Sequence, residues 1–187
     1  MTLKRTALVT GANKGIGREI SRQLGRLGYT VWLGARDEDR GRETEAALRA
    51  DGVDAHFVQL DVTSEESVRA AVSLVEARSS QLDVLVNNAG VGSGLASPTS
   101  TESVADIQAL FEVNFFGTVR VTQAFLPLVR KSAGARIVML SSGLGSIALT
   151  GDSTFTKGYQ TPSNISHSPR GLAPGVALRM LSKLKDL

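Results

Sequence analysis

Short apolar runs alternate with amphipathic stretches through residues 3–146, and that alternation restricts the possible folds more than any other feature of the chain. Thr6–Thr10 (TALVT), Thr30–Gly34 (TVWLG), Ala55–Leu60 (AHFVQL), Leu82–Val86 (LDVLV) and Arg136–Leu140 (RIVML) read as short buried strands. After the first of them, Ile16, Ile20, Leu24 and Leu27 form a helical stripe. A second helix is expected over Asp37–Asp51, with Ala46, Ala47 and Leu48 facing inward. A third starts after a Thr63 or Ser64 cap and runs to Arg78. A long fourth pattern starts at Thr101 or Ser103. It passes Ile107, Leu110, Phe111, Phe115, Val119 and Phe125 on its way to Arg130, with Pro127 near its end. Strands joined by helices in this order imply a parallel sheet covered on both faces. Right-handed crossovers then make it a doubly wound α/β sheet of the Rossmann type.

Composition excludes several chemistries. The 187 residues suffice for one domain with a core. There is no cysteine, so disulfides, thiolate metal sites and cysteine nucleophiles are absent. His56 and His167 lie far apart in unrelated contexts, which argues against a metal site and against a serine–histidine triad. The net charge of +3 invites a nucleic-acid reading. The basic excess, however, sits in the last segment, where Lys157, Arg170, Arg179, Lys183 and Lys185 face only Asp186. Only Tyr159 interleaves those charges, so no nucleic-acid partner is expected. No stretch is apolar enough to span a membrane, and the first ten residues lack the pattern of a signal peptide, so a cytoplasmic protein is expected. Gly151–Gly175 carries three of the five prolines and reads as irregular loop. The division expected is a dinucleotide-binding domain over 1–150 and an atypical tail of the same domain over 151–187.

The chemistry concentrates where the first strand turns into the first helix. Gly11, Gly15 and Gly17 there give G-x-x-x-G-x-G. Glycine permits a tight turn and close approach of backbone to a pyrophosphate, while the helix N-terminus offers unpaired amides and a positive dipole end. Lys14 lies inside this loop, with Asn13 before it and Ile16 after it. Arg36 follows the second strand, at a position where an arginine receives a 2′-phosphate and a carboxylate binds ribose hydroxyls. NADP(H) is therefore favoured over NAD(H), although Asp37 keeps NAD(H) open.

These residues resemble the short-chain dehydrogenase/reductase family, and within it the carbonyl-reductase-like members. The resemblance rests on T-G-A-N-K-G-I-G at 10–17, L-G-A-R-D at 33–37, L-D-V-T at 60–63, N-N-A-G at 87–90, V-N-F-F-G-T at 113–118 and I-V-M-L-S-S-G-L-G at 137–145. It implies that Asp61 hydrogen-bonds the adenine amino group with Val62 alongside, and that Asn88, Ala89 and Gly90 lie beside the ribose. Asn87 and Asn88 also read as a turn that stabilises the sheet end, and both roles can hold together. The resemblance further implies that Asn114 holds a water in a proton relay and that Ser142 hydrogen-bonds the substrate oxygen, with Ser141 the alternative by one residue. Asn114 also reads as a polar residue that bends its helix locally.

The family's tyrosine and lysine, Y-x-x-x-K, have no counterpart here. Tyr29 is followed four residues on by Leu33, and Tyr159 by Ser163. The resemblance thus implies NADPH-dependent carbonyl reduction, or the reverse alcohol oxidation, impaired by the loss of that pair, with a small-molecule carbonyl or alcohol as substrate. The sheet is expected to be incomplete at its C-terminal edge. The alternatives are a non-catalytic NADP(H)-binding or interaction module and a truncated, non-functional product. The family often pairs through its fourth and fifth helices. A homo-oligomer is expected only in so far as the fourth, with Phe111, Phe115 and Phe125, remains available.

Overall fold

A computed structural model describes residues 4–92 and 103–141 of the chain. They fall into two compact units, 4–89 with 119–138, and 90–92 with 103–118 and 139–141. The expected tail, Ser142 and Tyr159 lie outside the described residues.

The first unit is built on β1 (Thr6–Thr10), whose five residues are all buried. It pairs in parallel with β2 (Thr30–Ala35) on one side, Thr6 opposite Thr30, and with β4 (Val84–Asn87) on the other, Ala7 opposite Val84. Next to β2 lies β3 (Ala55–Gln59), also parallel, with Val31 opposite Ala55. With β5 (Arg136–Met139) the order is β3-β2-β1-β4-β5, the doubly wound sheet expected from the alternating pattern. The ladder of β4 begins two residues later than the apolar run suggests. Leu82 gives its amide to the Leu128 carbonyl instead of a strand neighbour.

Helices α1 (Gly15–Arg26), α2 (Glu38–Ala50) and α3 (Glu65–Arg78) connect the strands. On α1 only the middle of the expected stripe is inward. Ile20 and Leu24 pack against Val9, Val31, Leu33 and Leu48, whereas Ile16 and Leu27 are 64% and 69% exposed. Leu27 caps the helix end, and Ile16 stands in its first turn. On α2 the inward face is Gly41, Thr44 and Leu48, and Ala46 is exposed. Gly41 is inward because a Cβ there would meet the Phe57 ring at 2.2 Å.

Ser103, not Thr101, caps α4 (Val104–Phe111), accepting from the Asp106 amide. A π-helical turn, Glu112–Gly117, follows, and then α5 (Thr118–Arg130). Phe125 on α5 belongs to the core with no exposed surface, which corrects its expected place on an association face; Phe116 is the half-exposed ring. Trp32 is buried too, and its indole N–H reaches the Ser79 hydroxyl at 3.2 Å.

Two carboxylates fasten the amino ends of the strands. Asp83 is buried and accepts from the Thr6 amide (2.7 Å), the Gln81 side chain (2.8 Å) and the Ser132 hydroxyl (2.7 Å). Its own backbone also accepts from the Arg136 amide, so one residue joins the starts of β1, β4 and β5. Asp54 accepts from the Thr30 hydroxyl and pairs with Lys4 at 2.6 Å and His56 at 2.9 Å. Partial burial pushes its carboxyl up. The hydrogen bonds of Lys4 and Thr30 and the charges of Lys4 and His56 outweigh that and hold it at about 2, against 3.8 ordinarily.

Truncation in Asp83→Ala strands the Thr6 amide, and chemical denaturation is expected to show a loss of about 2–4 kcal/mol. Asp54 behaves differently because it is part-exposed. Its folded pKa is depressed, so its contribution is complete above pH 3.8 and fades as the pH falls towards 2. Asp54→Asn is expected to cost less than about 1 kcal/mol at neutral pH and to remove that share of the acid transition, read by denaturation at pH 7, 4 and 2.

Candidate functional site: the carboxyl ends of β1 and β4

The chain leaves β1 towards β2 and β3 on one side and returns to β4 on the other. Such a reversal opens a crevice at the carboxyl ends of the two central strands. The Thr10 hydroxyl sits in it. It accepts from the amides of Asn88 (3.0 Å) and Ala89 (2.9 Å) and donates to the Val86 carbonyl (3.4 Å), using its whole hydrogen-bonding capacity. The Asn88 side-chain amide donates to the carbonyls of Thr10 (2.8 Å) and Gly11 (3.1 Å). The sheet-end role read from the sequence for Asn88 is therefore present. Asn87 is buried and gives its side-chain amide to the Thr122 hydroxyl at 3.0 Å.

The glycines of the loop do different work. Gly11 has φ +65° and a Cβ there would meet the Ala89 backbone at 2.9 Å. At Gly17 a Cβ would lie 2.4 Å from both the Asn88 amide nitrogen and the Gly11 carbonyl oxygen, so this glycine lets α1 press onto the loop. Gly15 has φ +54° with nothing within 4 Å of a Cβ. Its backbone is thus open to approach. The Asn13 carbonyl is held by the Thr44 hydroxyl at 3.1 Å.

The start of α1 differs from the starts of α2, α3 and α4. Lys14 caps it with extended backbone and no side-chain hydrogen bond, and no acid lies in its first turn. By contrast, Asp37, Ser64 and Ser103 cap α2, α3 and α4 through their side chains, with acids in the first turn of each. The leading amides of α1 are left for an anion, and the macrodipole favours one. Lys14 and Arg36 are exposed, and neither side chain is engaged in a hydrogen bond or ion pair among the described residues. Asp37, next to Arg36, is occupied: its carboxylate accepts from the Arg40 amide at 3.1 Å and pairs with the Arg40 guanidinium at 3.4 Å.

Beyond β3, Asp61 forms a tight turn. One carboxylate oxygen accepts from both the amide (2.9 Å) and the hydroxyl (2.7 Å) of Thr63. Val62 is buried, and its carbonyl accepts from the Arg120 guanidinium at 2.6 Å. Sequence reading missed Arg120 and Asp83, and gave Thr10 no role beyond heading the glycine-loop motif. An acid inside the run LDVLV was the available signal for Asp83.

In the second unit Gly90 is exposed and Asn114 lies in the π-helical turn. The Asn114 side chain accepts from the Val91 amide and donates to the Val91 carbonyl, both at 2.9 Å. Its own carbonyl accepts from the Thr118 hydroxyl at 3.2 Å. Asn114 thus pairs with one backbone residue as a strand neighbour would. π turns are frequent at functional positions. Ser142 lies outside the described residues. Among the described residues no cluster of His, Cys, Asp or Glu could hold a metal ion, and no helix is long and apolar enough to cross a membrane.

Comparison with known proteins gives a consistent picture. The family model described as short chain dehydrogenase matches residues 5–156. The chain is 41% identical over 146 residues to carbonyl reductase (NADPH) 3 of Rattus norvegicus, covering 78% of this chain and 51% of that protein. It is 35% identical over 163 residues to (+)-neomenthol dehydrogenase of Arabidopsis thaliana, covering 76% and 55%. The chain spans about half the length of the curated relatives it matches. Among solved structures, a metagenomic short-chain oxidoreductase in complex with NADP is similar, with a TM-score of 0.78, 30% identity, and coverage of 97% of this chain and 77% of that one.

The two helix glycines should separate in experiment. Gly17→Ala forces backbone apart and is expected to destabilise by about 1–3 kcal/mol. Gly15→Ala meets no atom but keeps a left-handed backbone, at an expected cost of about 1–2 kcal/mol. Thermal melts without ligand, followed by titration with inorganic pyrophosphate, check both: the Gly15 variant should fold and bind the anion poorly.

Proposed function

The chain belongs to the short-chain dehydrogenase/reductase family of oxidoreductases, and from that premise we propose that it binds NADP(H) and forms the cofactor half of a carbonyl reductase. The observation that carries this reading is the start of α1, without a side-chain cap or an acid in its first turn and accompanied by two cations that pair with nothing described. Gly11, Asn13, Lys14, Gly15, Ile16 and Gly17 receive the pyrophosphate. Arg36 and Lys14 take the 2′-phosphate. Asp61 and Val62 hold the adenine, and Asn88, Ala89 and Gly90 border the ribose. Residues 1–150 make up this cofactor domain, with 151–187 its tail. Asp37 supports NADP(H) over NAD(H), since its carboxylate is committed to capping α2 and pairing with Arg40 rather than waiting for ribose hydroxyls.

The bound cofactor supplies hydride to a carbonyl carbon, or accepts it from an alcohol. The protein's task is to orient the oxygen and hold the proton. Asn114 keeps a water in the relay, and Ser142 hydrogen-bonds the substrate oxygen. Tyr29 does not serve as the acid. It lies just before β2, at the amino end of the strand, with the Arg5 guanidinium 4.3 Å from its ring centre. Within these 187 residues no tyrosine has a lysine four positions on. That absence favours a second reading, a module that binds NADP(H) without turnover.

Titration of NADPH fluorescence, followed by a panel of ketones, tests both readings. NADPH is expected to bind at least about tenfold more tightly than NADH, and Arg36→Ala is expected to erase that difference. Loss of a poised acid is expected to leave ketone reduction about 10²–10⁴-fold below relatives that carry it. Binding with no measurable turnover supports the second reading, and no binding of either coenzyme overturns both.

A further inference from the structure

We infer that Arg120, on α5, is a positioning residue for adenine recognition: its guanidinium fixes the Asp61–Thr63 turn through the Val62 carbonyl. The inference rests on the proposed binding of a dinucleotide and adds to it a residue outside all the sequence motifs. It begins with the hydrogen bonds of that turn. The Asp61 amide donates to the Ser67 hydroxyl at 2.9 Å, and its carbonyl accepts from the Ser64 amide at 3.1 Å. One carboxylate oxygen holds Thr63 twice. Ser64 caps α3 by accepting from the Ser67 amide. All of these bonds span six residues or fewer, so they shape the turn without fixing its place in the protein.

Two long-range backbone ties do fix it. The Leu60 amide donates to the Ala35 carbonyl of β2 at 2.9 Å, and Arg120 donates to Val62 at 2.6 Å. Among the described residues β3 is an edge strand, so the turn that follows it has a described sheet neighbour on one side only. Val62 is buried, and a buried carbonyl without a donor is costly. Arg120 supplies that donor from a helix 58 residues away, with a charge that strengthens the bond. A shift of the turn by about an ångström would carry the Asp61 carboxylate out of hydrogen-bonding distance of a group it recognises. An aspartate accepts hydrogen bonds and therefore selects an exocyclic amine over a carbonyl oxygen on a purine. Arg120 reaches no ligand itself; its effect passes through Val62 to the direction in which Asp61 points.

The test compares reduced NADP with its hypoxanthine analogue, which carries an oxygen in place of the adenine amine. Both are titrated against the full chain, Arg120→Met and Arg120→Lys. The native chain is expected to prefer the adenine form by about tenfold, the worth of one hydrogen bond to a carboxylate. Arg120→Met should reduce that ratio to below about twofold, and Arg120→Lys, which keeps a charged donor, should restore most of it. Because the ratio is measured within one protein, general loosening of the fold weakens both ligands together and leaves it unchanged. In an Asp61→Ala background, Arg120→Met should change the ratio no further. A ratio near one in the native chain, or one that Arg120→Met leaves intact, overturns the inference while dinucleotide binding stands. Failure of the native chain to bind either ligand overturns the proposed function and this inference with it.

Discussion

One hydroxyl holds the site together. Thr10 ends the central strand, and its side chain accepts two amides from the residues that end β4. The Asn88 side chain returns two bonds to the carbonyls of Thr10 and Gly11. Four short contacts thus tie the leading loop to the neighbouring strand end at the point where the topology opens a crevice. A parallel ladder cannot do this, because its bonds stop where the strands stop. Side chains must carry the register beyond that point, and small ones do so without filling the crevice. The closeness of Gly17 to both Asn88 and Gly11 follows from the same arrangement. Once the loop is drawn against β4, the helix that springs from it has room only for hydrogen.

The opposite end of the sheet is built differently. Asp83 collects donors from β1, from Gln81 and from Ser132, while Asp54 joins Lys4, Thr30 and His56. The His56 ring stands between Arg49 at one nitrogen and Asp54 at the other. Carboxylates here meet partners within the protein. At the carboxyl ends Lys14 and Arg36 meet none among the described residues. Paired carboxylates gather at one end of the strands, and cations without a described partner at the other. An anion-binding site needs that asymmetry, since a cation already paired has little left to offer a phosphate.

Periodicity and spacing made the five strands, their order in the chain and the glycine loop legible, because each depends on residues close in sequence. Register and reach were not legible. The ladder of β4 starts at Val84 because of where Leu82 sends its amide, and that partner is on α5. Phe125 reads like Phe115 in a helical pattern, yet the helix that carries it follows a π turn, and Phe125 enters the core. Ala46 looks inward by composition, but the face of α2 is decided by Gly41, whose missing side chain admits Phe57. Within the candidate site the loop and Arg36 were visible as motifs. Arg120 was not, because its partner is a backbone carbonyl, and a carbonyl leaves no trace in residue type.

Binding and chemistry place different demands on such a chain. Pyrophosphate is held mainly by backbone amides at a helix start, and any sequence that keeps the glycines and folds the turn supplies them. Proton transfer needs one side chain of suitable acidity within about 3 Å of the reacting oxygen. The first property is distributed and survives the loss of any single donor in part. The second is invested in a pair of residues and vanishes with them. The described part of this chain carries features of the distributed kind: the loop, the helix start, the two cations, the turn at Asp61 and the tie at Thr10. The Y-x-x-x-K pair, which belongs to the other kind, does not occur in the sequence. Having the first without the second is physically coherent, since the bonds that hold the crevice in shape run between β1 and β4 and to the turn after β3. None of them passes through a catalytic acid.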